Sequence, residues 1–315
     1  MSALNASDRI AAGPGSRLLD PLVLQRVGNL ELVARGVVEG FLHGLHRSPF
    51  TGRSLDFAEH RPYTPGDDLR RVDWALLART DRYFVKEFEA ETNANFTVYL
   101  DCSTSMKFES RGVTKLEYGK FLAASLSYLA RRQGDRIGAV TFDDEVRDWI
   151  PCSARNLDLI LLTLDRTEAL RPADLGPAFE SVVTKPVKRG IVAVVSDLYG
   201  DPEVLAPILG RLRAAGSDIV VFHLLDRAEL DLPWEGAITM EDLETGVTLP
   251  VTPEALREEY RERIERHVRE MGLALAGVGA EHTLVDTSVP LDYALYRYLT
   301  LRQERRRTGR WASPS

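Results

Sequence analysis

The residues best suited to chemistry in this sequence follow two apolar runs. The first run, residues 96–100, is Phe-Thr-Val-Tyr-Leu, and it is followed by Asp101-Cys102-Ser103-Thr104-Ser105. The second, residues 191–195, is Ile-Val-Ala-Val-Val, followed by Ser196 and Asp197. A carboxylate with hydroxyls two and four residues on offers hard oxygen ligands along one edge of a loop, and Asp197 adds a second carboxylate. Magnesium takes hard oxygens in octahedral geometry and keeps several waters. A protein shell of this size leaves a position open for an outside ligand. The bland alternative is a strand-to-helix turn whose hydroxyls cap backbone groups. Asp197 at the end of a second buried strand favours the shared polar site.

A second group lies upstream, in residues 48–74. Arg61, Arg70, Arg71 and Trp74 are residue types enriched at interaction hot spots, which makes them a candidate docking patch. Pro65-Gly66 followed by Asp67 and Asp68 equally reads as a turn and a helix cap with the arginines in ion pairs. Other chemical readings are weaker. Cys102 and Cys152 have no base beside them in sequence and read as packing residues. The histidines at 43, 46, 60, 223, 267 and 282 show no ligand spacing, and His43 and His46 read as surface residues. Residues 112–120 mimic a phosphate loop, but Phe121 stands where Ser or Thr is required. Gly277-Val278-Gly279 follows a helix pattern, so it is not a dinucleotide fingerprint. The arginines at 305–307 read as a solvated helix end.

These candidates need a frame to hold them. Residues 20–45 are expected to form one helix, capped by Asp20-Pro21, with Leu24, Val27, Leu30 and Val38 on one face. From residue 95 strands and helices alternate. Strands are expected at 96–100, 136–142, 191–195, 218–225 and 282–286, with 146–150 as a hairpin partner at the sheet edge. Helices are expected after the Thr114/Glu117 capping box and over 156–164, 174–183, 202–215 and 290–305. A long helix after Thr252-Pro253 should turn Tyr260, Ile264, Val268 and Met271 inward and pair Glu262 with Arg266 and Glu265 with Arg269. Residues 234–251 read as a β excursion turning at Glu244-Thr245-Gly246. The alternation predicts a doubly wound, mainly parallel α/β sheet of Rossmann-like type, with an N-terminal helical extension and a β-hairpin insertion. Ligands of such sheets sit beyond the carboxyl ends of the strands, where the strand order switches.

Composition sets the outer bounds. The 315 residues are 44% hydrophobic and 28% charged, which excludes a disordered chain or a coiled-coil rod. The net charge of −7 argues against a general nucleic-acid binder. Two cysteines without a CxxC fit a reducing, cytoplasmic setting. No apolar run approaches the roughly 20 residues of a membrane span, and the first 20 residues lack the apolar core of a signal peptide.

Two strings carry a family resemblance. Asp101-x-Ser103-x-Ser105 after an apolar strand resembles the metal-ion-dependent adhesion site of von Willebrand factor A domains, with Asp197 at the later metal-site aspartate. The upstream string Tyr63-Thr64-Pro65-Gly66-Asp67-Asp68-Leu69-Arg70-Arg71-Val72-Asp73-Trp74 resembles the signature of domain-of-unknown-function family 58 (DUF58). The resemblance implies a bacterial von Willebrand factor A-like adaptor without enzymatic activity, acting with a MoxR-type AAA+ ATPase in chaperone-like assembly or maturation. It implies Mg2+, with Mn2+ or Ca2+ as alternatives, held by Asp101, Ser103, Ser105 and Asp197. Ala173 stands where the adhesion site takes a threonine, so a metal-free, degenerate site is one alternative. A metal-assisted hydrolase or phosphotransferase with Asp101 as nucleophile or ligand is the other, although Ser103 stands where its second carboxylate would be. The expected organisation is a flexible 1–17, an extension over 18–91 that packs on the main domain, the main domain over 92–303 and a basic tail over 304–315.

Overall fold

The computed structural model describes residues 20–47, 59–62, 83–87, 94–185 and 188–307. The expected N-terminal helix is two helices, α1 (Pro21–Gln25) and α2 (Leu30–Arg47). Asp20 caps α1 by accepting from the Leu22 N–H at 2.9 Å. Gly28 then turns with φ +64°, and Asn29 Oδ1 accepts from the Leu32 N–H at 3.0 Å to start α2. A glycine in the left-handed region followed by an Asn cap is a stop and a restart, so one apolar stripe does not run through both helices. Val27 is accordingly exposed, while Leu24, Leu30 and Val38 are buried.

β1 (Glu59–Pro62) and β2 (Phe84–Glu87) form a separate antiparallel ladder. The main unit follows: β3 (Asn95–Asp101), a 3-10 turn (Thr104–Lys107), α3 (Lys115–Arg132), β4 (Arg136–Phe142), β5 (Val146–Ser153), α4 (Leu157–Arg166), α5 (Leu175–Val183), β6 (Gly190–Ser196), α6 (Pro202–Ala214), β7 (Asp218–Leu225), α7 (Arg227–Asp231), β8 (Ile238–Glu241), β9 (Thr248–Val251), α8 (Pro253–Gly277), β10 (Glu281–Asp286) and α9 (Asp292–Arg307). The last helix thus reaches into the expected tail. The predicted capping box of α3 is present, with Thr114 and Glu117 exchanging bonds. Pro253 opens α8, but the Thr252 side chain makes no capping bond. Along α8, Ile264 and Met271 are buried and Tyr260 and Val268 half-buried, and Arg269 pairs with Glu265 at 3.5 Å.

The six-stranded sheet has the order β10-β7-β6-β3-β4-β5. All neighbours are parallel except β5, which runs antiparallel on β4 as the edge hairpin. The chain fills one half of the sheet from β3 outward through β4 and β5, then returns to β6 and fills the other half. The order therefore switches between β3 and β6, and the fold is a doubly wound α/β sheet.

Strand residues alternate between two cores. Phe96, Val98 and Leu100 of β3, Ile191, Ala193 and Val195 of β6 and Val220, Phe222 and Leu224 of β7 pack with residues of α1, α2, α3, α4 and α9. Tyr99, Val192, Val194, Ile219 and Val221 pack on the other face with α5, α6 and α8. Burial on both faces is why these strands read as continuous apolar runs. Gly190 marks a tight approach: a Cβ there would lie 2.0 Å from the Asn95 carbonyl oxygen. Among the described residues no helix is long and apolar enough to cross a membrane.

Candidate functional site

The switch point puts the ends of β3 and β6 side by side, and with them Asp101 and Asp197. Both are fully buried. Asp101 Oδ1 accepts from the Ser103 N–H at 2.8 Å, and Oδ2 accepts from the Ser196 hydroxyl at 2.6 Å. The hydroxyls of Ser103 and Ser105 lie 3.1 Å apart and bond each other. The loop is held in place by backbone bonds, Cys102 N–H to Phe142 O at 2.8 Å and Thr104 N–H to Arg171 O at 2.9 Å. The expected set of Asp101, Ser103, Ser105 and Asp197 is thus brought to one place. Of the upstream set, Arg61 lies on β1, its backbone opposite Val85. Arg70, Arg71 and Trp74 lie outside the described residues.

Three residues that sequence reasoning missed complete the site. Lys115, the first residue of α3, is wholly buried, and its Nζ donates to Asp197 Oδ2 and to Glu229 Oε1, each at 2.7 Å. Its ammonium also lies 4.8 Å from the centroid of the Tyr199 ring, a cation–π distance. Burial pulls the Lys115 pKa down, but the charges and hydrogen bonds of Asp197 and Glu229 outweigh it and hold the value above its usual range. The third is Glu244, at the tip of the β8–β9 hairpin. Its Oε1 accepts from the Ser105 N–H at 2.6 Å and its Oε2 from the Ala173 N–H at 2.7 Å. Ala173 is therefore tied through its amide to the same carboxylate as Ser105. A lysine in the first turn of a helix opposes the helix dipole, which was the one sequence signal that carboxylates wait nearby.

Burial, and then the neighbouring Asp197 charge, push the Asp101 carboxyl up to about 7, against the hydrogen bonds from Ser196 and Ser103. Leu198, two residues beyond β6, is buried with φ +51°, a left-handed backbone that costs energy for a residue with a Cβ. It is pinned by its N–H to Ser196 Oγ at 3.0 Å and by His267 Nε2, 3.0 Å from its carbonyl oxygen.

Whether a divalent cation suits this site turns on charge and on unmet oxygens. Asp197 Oδ1 and Thr104 Oγ1 are buried and hydrogen-bond to no protein group. A buried carboxylate oxygen without a donor carries a desolvation cost that a cation or its water would relieve. The hard-oxygen set and this free oxygen fit a hydrated Mg2+. The Lys115 ammonium opposes it, and Ala173 supplies no ligand oxygen. Among the described residues no group of three or more His, Cys, Asp and Glu side chains is arranged to hold a metal ion. Any cation would therefore rest on hydroxyls, carboxylates and water.

The cysteines take the packing roles expected of them. Burial pushes the Cys102 thiol up to about 12, and its Sγ donates to the Phe142 carbonyl at 3.1 Å. Cys152 Sγ lies 3.2 Å from Thr97 Oγ1. The histidines are less bland. His223 is fully buried on β7, with Nδ1 3.1 Å from Nε2 of His282 on β10 and its ring edge-on to His267 of α8. The trio comes from three separate elements, which no spacing pattern could reveal.

A family model described as "Protein of unknown function DUF58" matches residues 59–270. An uncharacterised protein of Mycobacterium tuberculosis is 28% identical over 268 residues, covering 83% of this chain and 84% of the relative. An uncharacterised protein of Mycobacterium avium is 27% identical over 156 residues, 47% of this chain and 91% of the relative. Among solved structures, the conserved hypothetical protein BatB from Bacteroides thetaiotaomicron aligns at TM-score 0.46 with 16% identity, covering 67% of this chain and 99% of that one. The SpRpn10 VWA domain aligns at 0.39 with 12% identity, covering 65% and 94%. The sheet itself, rather than these scores, carries the fold assignment.

Proposed function

Since this chain belongs to the DUF58 family of proteins of unknown function, we propose that it is a non-enzymatic interaction module of the von Willebrand factor A type, presenting a divalent-cation adhesion-type site at the switch between β3 and β6. The observation that supports this reading is the cluster of Asp101, Ser103 and Ser105, with the charge of Asp197 acting on Asp101 and a buried Asp197 oxygen that has no donor. Asp101 and the two serines would hold Mg2+, directly or through water, with Asp197 acting through a water. The ion would supply a positive charge able to bind an oxygen ligand from outside. Against nucleophilic chemistry at this site, the hydroxyls of Ser103 and Ser105 bond each other, and among the described residues no histidine is one of their hydrogen-bond partners. The thiol of Cys102 is buried and held protonated.

The partner we propose is a MoxR-type AAA+ ATPase in the cytoplasm, on the strength of the family resemblance, with Arg61, Arg70, Arg71 and Trp74 as its docking patch. The test is capture of purified ATPase by wild type and Asp101→Ala, each with millimolar Mg2+ and with chelator. Capture by wild type in Mg2+ alone is the expected result. Capture in all four conditions removes the metal from the reading, and capture in none removes the ATPase.

A further inference from the structure

We propose that the end of the sheet opposite the switch-point site is a basic docking face, and that it rests on a membrane surface of anionic phospholipids. This face shares no residue with the proposed metal site, so the two stand or fall separately.

The strand register places the residues of this face. Arg136 opens β4 opposite Asn95, and Gly190 opens β6 opposite Asn95 on its other side, so Arg136 and Arg189 flank the start of β3. Strands two apart in a sheet lie about 10 Å from each other. Lys188 precedes Arg189, and Arg155 follows β5, whose Ser153 pairs with Ile137. The helix α3 ends at this level with Arg131 and Arg132. All six side chains are exposed, and none forms an ion pair among the described residues. Burial raises the Cys152 pKa, and the charges of Lys188 and Arg136 both oppose it, which sets the two beside one thiol.

Helix ends explain only part of this charge. Basic residues in a last turn complement the helix dipole, which suffices for Arg131 and Arg132. Arg136, Arg155, Lys188 and Arg189 lie in strand starts and turns, where no dipole asks for them. Carboxylates of this end are already taken, Asp135 by Arg302, Asp218 by Arg213 and Glu281 by Arg297. Asp158 in the first turn of α4 and Glu270 of α8 are exposed and offset only part of the excess. A chain of net charge −7 thus gathers positive charge at one end. The bond from Arg302 to Asp135 also brings the end of α9, with Arg305, Arg306 and Arg307, to this level. Such a face attracts any polyanion, and its rim decides between them. Leu273, near the end of α8, is 74% exposed, and Leu159, in the first turn of α4, is 50% exposed. Aliphatic side chains beside a basic face gain from the boundary of headgroups and acyl chains, whereas a phosphate backbone offers them nothing.

The test is sedimentation of the full-length protein with vesicles of phosphatidylcholine alone and with about 30% phosphatidylglycerol. Wild type should bind only the anionic vesicles, and should leave them at about 0.5 M salt, where charges are screened within a few ångströms. Each basic residue at an anionic surface is worth about fivefold in affinity, so Arg136→Gln, Lys188→Gln and Arg189→Gln together should weaken binding by about 100-fold. The control, Arg111→Gln, Arg166→Gln and Arg171→Gln together, removes the same charge from the opposite end and should bind as wild type does. Circular dichroism checks that both triple variants keep the wild-type Tm. An environment-sensitive fluorophore on Leu273→Cys should shift to the blue on anionic vesicles, and one on Leu170→Cys should not, although Leu170 is 62% exposed at the other end. No binding of wild type to anionic vesicles, an equal loss in both triple variants, or no blue shift at Leu273→Cys overturns the proposal. Duplex DNA bound more tightly than anionic vesicles at the same salt also overturns it, in favour of a nucleic acid.

Discussion

Replacing Lys115 by methionine keeps the aliphatic stem and deletes only the charge, so it weighs the polar heart of the site. The ammonium lies 2.7 Å from Asp197 Oδ2 and 2.7 Å from Glu229 Oε1, with Lys115 and Asp197 fully buried. At an effective dielectric of about 20, each contact is worth about 6 kcal/mol of Coulomb attraction. Desolvation of the three charges, several kcal/mol per ion, offsets most of that. The variant, however, leaves two carboxylates buried without their cation, and breaking a buried pair in this way costs about 3–5 kcal/mol. At roughly 2–4 °C per kcal/mol for a domain of this size, Tm should fall by about 6–20 °C. The assay is thermal unfolding followed by circular dichroism, repeated with 5 mM Mg2+. In the metal-site reading the variant gains more from Mg2+ than wild type does, because the competing ammonium is gone and binding to the folded state raises stability by mass action. A loss under about 1 kcal/mol, typical of exposed ion pairs, would refute the claim that Lys115 neutralises a buried acidic site.

Three further outcomes follow from buried groups elsewhere in the fold. His223 has its pKa held well below 6.5 by burial and then by His282 and His267, so the folded state keeps it neutral while the unfolded chain takes up a proton below about pH 6.5. Its contribution to stability is intact above that pH and declines below it. Because Asp101, raised to about 7, contributes with the opposite sign, the test is the difference between the wild-type and His223→Asn denaturation curves from pH 7.5 to 5, which should narrow as pH falls; a constant gap rejects it. Gly190→Ala should cost about 2 kcal/mol or more in urea unfolding, since its Cβ would meet the Asn95 carbonyl at 2.0 Å and neither strand can yield. Arg302→Met should cost about 3–5 kcal/mol by stranding the buried Asp135, to which Arg302 donates through both Nη1 and Nη2; a near-neutral result would show that Asp135 is solvated when α9 loosens.

The frame was legible because it rests on short-range patterns. Apolar runs at 96–100 and 191–195 become strands buried on two faces, and the Thr114/Glu117 spacing becomes a capping box. The break at Gly28-Asn29 was equally local, but an apolar period carried through it hid the signal, and Val27 is exposed as a result. Asp101 and Asp197 could be paired because the position of a ligand site in a doubly wound sheet follows from topology.

Lys115, Glu229 and Glu244 obey no such rule. Each comes from an element whose sequence describes only itself: the first turn of α3, the short α7, the tip of a hairpin. Their meeting is set by where the chain closes over the sheet ends, which is a long-range property. Two buried carboxylates at the strand ends nevertheless demand a countercharge, since isolated buried charges are too costly to persist. Charge arithmetic at the switch point therefore calls for a cation, although it does not say which residue or ion supplies it. The resident ammonium answers part of that demand, and the donor-free Asp197 oxygen is the part it leaves open. Lys115 thus supplies a countercharge, Glu244 accepts from the Ser105 and Ala173 amides, and Asp197 Oδ1 keeps the unmet demand on which the proposed metal reading rests.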